Sequence, residues 1–283
     1  MERKLWNALY PFVMNSVKAI STRHVRFPHE VIVMVFFWAQ LHDRPIHWAV
    51  QAENWPQDLR PTRLPSASTM SRRVKRPAMT QALQQLSDQL RAVQSLATYL
   101  ACVDAKPLQV GGFSKDPDAR WGYATRSKAK GYKLIAIVSG GVMPLAWDLF
   151  PMNISEAKAA EKLLTQVALP GGYLLADSAY DINHFYTRCE AHGVQLVAPR
   201  KRPQAGLGHR PHAASRLRAI ELLGTRFGQD LYRARSDIEQ KFGQLTNHAT
   251  GLKPLPNWVR RHARVHRYVH SKLILNALRT LIA

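Results

Sequence analysis

Apolar residues recur along this chain with two different periods, and the change comes near residue 98. Before it the spacing is helical. Residues 31–41 (VIVMVFFWAQL) are apolar nearly all round and follow Pro28-His29-Glu30, which suits a helix start, so a buried core helix is expected. Pro45 opens a shorter helix over 46–54, ended by Trp55-Pro56, and a loop punctuated by Pro56, Pro61 and Pro65 follows. Residues 66–76 form a further helix that Ser66 or Ser68 can cap and Pro77 stops. Met70 and Val74 share one face of it, while Arg72, Arg73, Lys75 and Arg76 occupy the others. An apolar seam inward with donors outward is the profile of a helix-turn-helix recognition helix, although a solvated basic helix packed on the first one would read the same way. Residues 79–96 are an amphipathic helix carrying Leu83, Leu86, Leu90 and Val93.

From residue 99 short β-type runs take over. The first ends on Asp104, with Lys106 and Pro107 just behind it, and reads as a buried strand. A Gly- and Lys-rich loop over 111–131 carries Lys115, Arg120, Arg126, Lys128 and Lys130; Asp116 and Asp118 flank Pro117 as turn residues. Runs 132–139 and 142–150, separated by Gly140-Gly141, predict an antiparallel hairpin. A helix over 155–167 leads to a second short strand, 171–177, ending on Asp177; a helix over 183–192 and a strand over 194–199 complete a βαβ-like unit. Residues 200–216 are basic and Gly/Pro-rich, and are expected to be mobile. Helices are expected over 216–223, 231–247 and 258–283, the last basic at first and apolar by Leu273-Ile274-Leu275. The fold class expected is α/β (mixed α+β), a mixed sheet flanked by helices. The expected division is a helical region over 1–97 and a mixed sheet-and-helix domain over 98–283 that includes the basic C-terminal helix.

Charge narrows the partners. The 283 residues hold 40 Lys and Arg against 19 Asp and Glu, a net charge of +21 and a pI near 10.5. Such an excess points to polyphosphate through counterion release. An anionic membrane is the other candidate, but the longest dense apolar run, 31–39, is about half of what a spanning helix needs. The start, Met1-Glu2-Arg3-Lys4, leads into Trp- and Pro-containing sequence rather than a signal peptide. Two cysteines, Cys102 and Cys189, support neither a disulfide framework nor a thiolate zinc cluster. A soluble nucleic-acid-binding protein of a reducing, cytoplasmic compartment is expected. His262, His266 and His270 recur at i, i+4 and i+8, which invites a zinc reading; with no Cys nearby and few acids, packing or phosphate contact is the expectation.

With so few acids, each can be weighed. Asp104 and Asp177 both end apolar β runs, and such carboxylates need a cation or donors. Tyr232, Arg235 and Glu239 stand at i, i+3 and i+7, on one face of a helix; the plain alternative is an Arg235–Glu239 surface pair. Val103-Asp104, the segment Leu175-Ala-Asp177-Ser-Ala-Tyr180-Asp181, Gly131-Tyr132-Lys133 and Tyr232-x2-Arg235-x3-Glu239 together resemble DDE transposases of bacterial insertion sequences. The resemblance covers roughly 99–283. In one respect the chain departs from it: the family signature continues to a Lys seven residues after the Glu, where Thr246 stands, with Lys241 and Lys253 nearby. The interval between Asp177 and Glu239 also leaves no room for the large β-rich insertion of some relatives.

The resemblance implies an RNase H-like catalytic domain whose catalytic and metal-binding residues are Asp104, Asp177 and Glu239. Three carboxylates on one rim suit two Mg²⁺ ions about 3.5–4 Å apart, with Mn²⁺ able to substitute. Asp104, on the central strand, would bridge the ions, and Asp177 and Glu239 would each hold one. Tyr232 and Arg235 would position phosphate or a flanking nucleotide. Arg72, Arg73 and Lys75 would contact DNA from the helix-turn-helix. Lys128, Lys130 and Lys133, the 200–216 segment, and Arg260, Arg261, Arg264 and Arg267 would track the backbone. The expected activity is cleavage and joining of terminal inverted repeats by a homodimer or higher oligomer on double-stranded DNA, in the bacterial nucleoid. A nuclease without strand transfer and an inactive DNA-binding regulator are the alternatives.

Overall fold

Strand β1 (Leu100–Gln109) is the axis of a six-stranded sheet in a computed structural model that describes residues 2–17, 26–93, 99–125, 127–236, 240, 251–252 and 254–283. The chain divides into a sheet unit (Ser95–Thr246 and Lys253–Leu255) and a helical unit (Met1–Gln94, Asn247–Leu252 and Pro256–Ala283).

In the sheet unit, β1 pairs antiparallel with β3 (Lys128–Val138) over eight residue pairs, from Cys102 opposite Val138 to Gln109 opposite Gly131. β4 (Ala146–Pro151) continues the antiparallel meander on the far side of β3, as the Gly140-Gly141 signal predicts. β5 (Tyr173–Leu175) and β6 (Gln195–Val197) add in parallel on the other side of β1. Reading across, the order is β4-β3-β1-β5-β6, the RNase H-like mixed sheet. β2 (Arg120–Tyr123) pairs with the first residues of β3, so Lys128 and Lys130 stand on a strand and not in the expected loop. That strand is short and mostly exposed, which is why it has no apolar pattern to announce it. Helices α6 (Glu156–Leu164) and α7 (Asn183–Ala191) follow β4 and β5. Ala157, Ala160, Leu163 and Phe185 meet Val103, Ile135, Ile137 and Leu174 in one core. Helix α8 (Ala214–Gly224) runs into α9 (Arg226–Arg233).

One expectation is corrected here. β1 does not end at Asp104 but continues five residues beyond it. From that point it pairs with β3 alone, so the polar residues and Pro107 sit on a strand with one unpaired side, where Pro is tolerated. The helix expected over 231–247 is described only in part: α9 ends at Arg233 with Ala234 as its cap, residues 236 and 240 are helical, and the rest of the span past 236 lies outside the described residues.

In the helical unit, α1 (Glu2–Val17), α2 (His29–Leu41), α3 (Ile46–Ala49), α4 (Ala67–Arg73) and α5 (Pro77–Ala92) are joined by α10 (His262–Ile282). α2 is buried along its length, as its apolar run predicts. Trp38 stacks on Trp55 with ring centroids 4.4 Å apart, and Trp6 meets Trp38 edge-on at 4.8 Å. The C-terminal helix therefore belongs with the N-terminal helices and not with the sheet, against the expected division at 98. The reason is chemical. Lys272, wholly buried on α10, donates to the Gln40 carbonyl at 2.7 Å and sits 2.6 Å from Asp43 Oδ1, and Tyr268 donates to the same carboxylate at 2.8 Å. A buried ammonium needs such partners, and the α2 end supplies them.

Among the described residues no helix is long and apolar enough to cross a membrane. Gly131 is where the sheet allows no side chain, since a Cβ there would lie 2.1 Å from the Leu108 carbonyl oxygen. Gly131→Ala is expected to cost about 2 kcal/mol or more, as overpacking against rigid backbone does. Urea melts of the purified protein check this.

Candidate active site

The acids are placed by the β1–β5 register. Parallel pairing runs through Leu100–Tyr173, Ala101–Leu174 and Cys102–Leu175 and then stops. Asp104 lies two residues past that last pair on one strand, and Asp177 two residues past it on the other. Side chains of extended strands alternate, so both carboxylates project from the same face at the same rim. Ala176 keeps the second strand in line by donating to the Val197 carbonyl at 3.1 Å, and Asp177 remains extended at φ −78°, ψ 176°. Asp177 accepts from Ala179 N–H at 2.8 Å, capping a short 3₁₀ turn (Ser178–Tyr180). Asp104 accepts from Ala105 N–H at 2.8 Å.

Asp104 is strained electrostatically. Burial pushes its carboxyl up from 3.8 to about 6; the Ala105 N–H and the Arg235 guanidinium pull it down, while Asp177 and Glu156 push it further up. Lys106, two residues on and on the same strand face, is pulled below its ordinary value by burial, with Asp104 opposing. Arg235 follows α9 in a turn in which its N–H donates to the Tyr232 carbonyl at 3.0 Å. The Tyr232 hydroxyl donates to the Ala176 carbonyl at 3.2 Å, so this phenol fixes the end of α9 beside Asp177. The structure thus gathers Asp104, Asp177, Tyr232 and Arg235; Glu239 lies outside the described residues.

Two groups at this rim gave no usable sequence signal. Glu156 follows the cap Ser155, where an acid is ordinary for a helix start, yet it contributes to the field at Asp104. Tyr180 belonged to the quoted motif but had no assigned role. It is fully buried, and its hydroxyl has no hydrogen-bond partner among the described residues, although Glu156, Asp104 and Asp177 all act on it.

The sequence matches the family model of the transposase DDE domain over residues 96–274. The chain belongs to the DDE transposase family. No curated protein matches it.

For a DDE transposase the donor set here is apt: two carboxylates side by side, one of them buried at a cost, suit a hard divalent cation. Among the described residues no three His, Cys, Asp or Glu side chains are close enough together to hold an ion. His270 is buried against Ser87 Oγ at 2.6 Å, and burial pushes it down to about 3.

Several residues expected to track DNA have other commitments. Lys133 is buried and pairs with Glu156 at 2.7 Å, a correction that follows from its place opposite Pro107 in mid-sheet. Lys130 donates to the Ser114 carbonyl at 2.6 Å, and Lys128 lies over the Tyr123 ring. Arg216, at the end of the segment expected to be mobile, forks onto Asp181 at 2.6 and 2.8 Å and holds that carboxyl below its usual range. Arg260 donates to the Pro256 and Val259 carbonyls and Arg264 to that of Trp258, closing the turn before α10, whose cap Arg261 has φ 72°. In the helical unit Met70 and Val74 are buried and Ser66 caps α4, as expected, leaving Arg72, Lys75 and Arg76 exposed. Lys75, Arg264 and Arg267 border one cavity of about 350 Å³.

The Asp104 environment has a measurable consequence in metal-free protein. The folded carboxyl keeps its proton to about pH 6, whereas an exposed Asp loses it near 3.8. Folding therefore binds a proton between those values, and stability falls as pH rises across them and stays lower above. Asp104→Asn is expected to remove this slope and to stabilise the metal-free fold by about 2 kcal/mol at neutral pH, read from urea melts at several pH values. Tyr180→Phe, which removes a buried hydroxyl with no partner among the described residues, is expected to be neutral or stabilising by about 1 kcal/mol in the same assay.

Proposed function

We propose that this transposase binds the terminal inverted repeats of its element and carries out metal-dependent strand cleavage followed by strand transfer. The observation that carries the reading is the shared rim position of Asp104 and Asp177, with Arg235 within electrostatic range. Asp104 and Asp177 would hold the divalent metal, Mg²⁺ or Mn²⁺, with Glu239 as the third ligand by its place in the Tyr232-x2-Arg235-x3-Glu239 signature. When bound, the metal supplies Lewis-acid stabilisation of the phosphate and of the leaving oxygen. The residues of this chain do the rest. Arg235 faces the anionic phosphate and opposes the repulsion between it and the acids. Tyr232, held on the Ala176 carbonyl, anchors the end of α9 from which Arg235 follows, within electrostatic range of Asp104. An in-line attack by water on the scissile phosphodiester leaves a 5′-phosphate and frees a 3′-hydroxyl; attack by that hydroxyl on a target phosphodiester forms the new P–O bond as the target strand's own P–O3′ bond breaks and its 3′-hydroxyl leaves. The working form proposed is a homodimer or higher oligomer on DNA.

The test is incubation of the protein with end-containing DNA and Mg²⁺ or Mn²⁺. Asp104→Asn, Asp177→Asn and Glu239→Gln are each expected to reduce cleavage to background, on the order of 10³-fold or more. Variants that cut like the parent would remove the site assignment. A parent that nicks but never joins a 3′-end to target would be a nuclease and not a strand-transfer enzyme.

A further inference from the structure

The helical unit contains a concavity of about 670 Å³ against α4, lined by Arg26, Arg72, Arg73 and Arg76 together with Ser66 and Thr69. Among the described residues no carboxylate lines it. Four guanidiniums facing one space without a counter-charge repel each other, and burial and Arg76 together hold Arg73 below its ordinary value. Arg73 is fixed in place by donating to the Phe27 carbonyl at 3.1 Å, and Arg26 lies over the Phe27 ring at 5.5 Å. The segment before α2 and helix α4 are thus tied to one another around a recess whose polar wall is made of donors. Arg26 had no part in the helix-turn-helix expectation, in which Arg72, Arg73, Lys75 and Arg76 face outward toward phosphates and base edges.

We infer that this recess is a phosphodiester-binding site that takes the sugar–phosphate backbone of duplex DNA without reading its sequence, Arg26 and Arg76 acting with Arg72 and Arg73. The inference rests on the proposal that the protein acts on DNA, and deepens it. Guanidiniums suit phosphate oxygens bidentately, and hydroxyls of the Ser66 and Thr69 type are common phosphate donors. A site built for base edges would instead need a protruding face that enters the major groove.

Binding of the full-length protein to short duplexes of random sequence, followed by fluorescence anisotropy across a salt series, tests this. Arg26→Ala, Arg72→Ala and Arg76→Ala are each expected to weaken binding and to lower the slope of log affinity against log salt by about 1, equally on every sequence tried. Arg63→Ala, an exposed arginine outside the recess, is the charge control and is expected to change the slope less. Arg73 is replaced by Lys, because its contact with Phe27 is also structural; retention of binding by that variant supports a charge role. Unchanged slopes in the three alanine variants, a loss confined to one DNA sequence, or an equal loss in Arg63→Ala would each overturn the site while leaving the DNA reading intact. A parent protein that binds no duplex at any salt would overturn both.

Discussion

The parallel pairing of β1 with β5 is the constraint on which the site depends. It lasts three residue pairs, and its end defines the place where Asp104 and Asp177 emerge on one face. Because side chains alternate along a strand, a slip of one residue would turn one carboxylate to the opposite face and dissolve the site. So short a ladder cannot set its own register firmly. It is held by its neighbours: β1 is locked to β3 through eight pairs, and β5 is locked to β6. Gly131, against the Leu108 carbonyl, and the small Ala136 opposite Asp104 belong to the same lock.

Electrostatics then separates the cations of this chain into two populations. One is internal: Lys272 with Asp43, Lys133 with Glu156, Arg216 with Asp181, and the arginines that close the turn before α10. The other, on and around α4, faces outward or into a recess without acids among the described residues. The surplus of +21 is therefore an overestimate of phosphate-directed charge along the β3 strand and α10, and a fair guide at α4. At the rim that carries Asp104 and Asp177 the balance is reversed. Asp104 is buried beside like charges with Arg235 opposing, a costly state for a carboxylate alone.

Sequence alone determined much about this protein. The all-apolar run over 31–41, the glycine pair of the β3–β4 hairpin and the alternation of strands with helices after residue 99 are local properties, and each element formed close to where its pattern lay. Asp104 and Asp177 were legible because a polar stop after an apolar run is also a local signal. Tertiary structure decided what depends on residues distant in the chain. β1 continues past Asp104 because β3 pairs with it there, which no property of Lys106 or Pro107 could reveal. α10 joins the N-terminal helices because its buried Lys272 needs the acceptors at the end of α2. Lys133, Glu156 and Tyr180 took their places at the rim, and Arg26 its place beside α4, through packing of elements whose patterns carried no mark of their partners. Periodicity reports which face of an element is buried; only the assembled fold settles what that face, or a charge on it, is buried against.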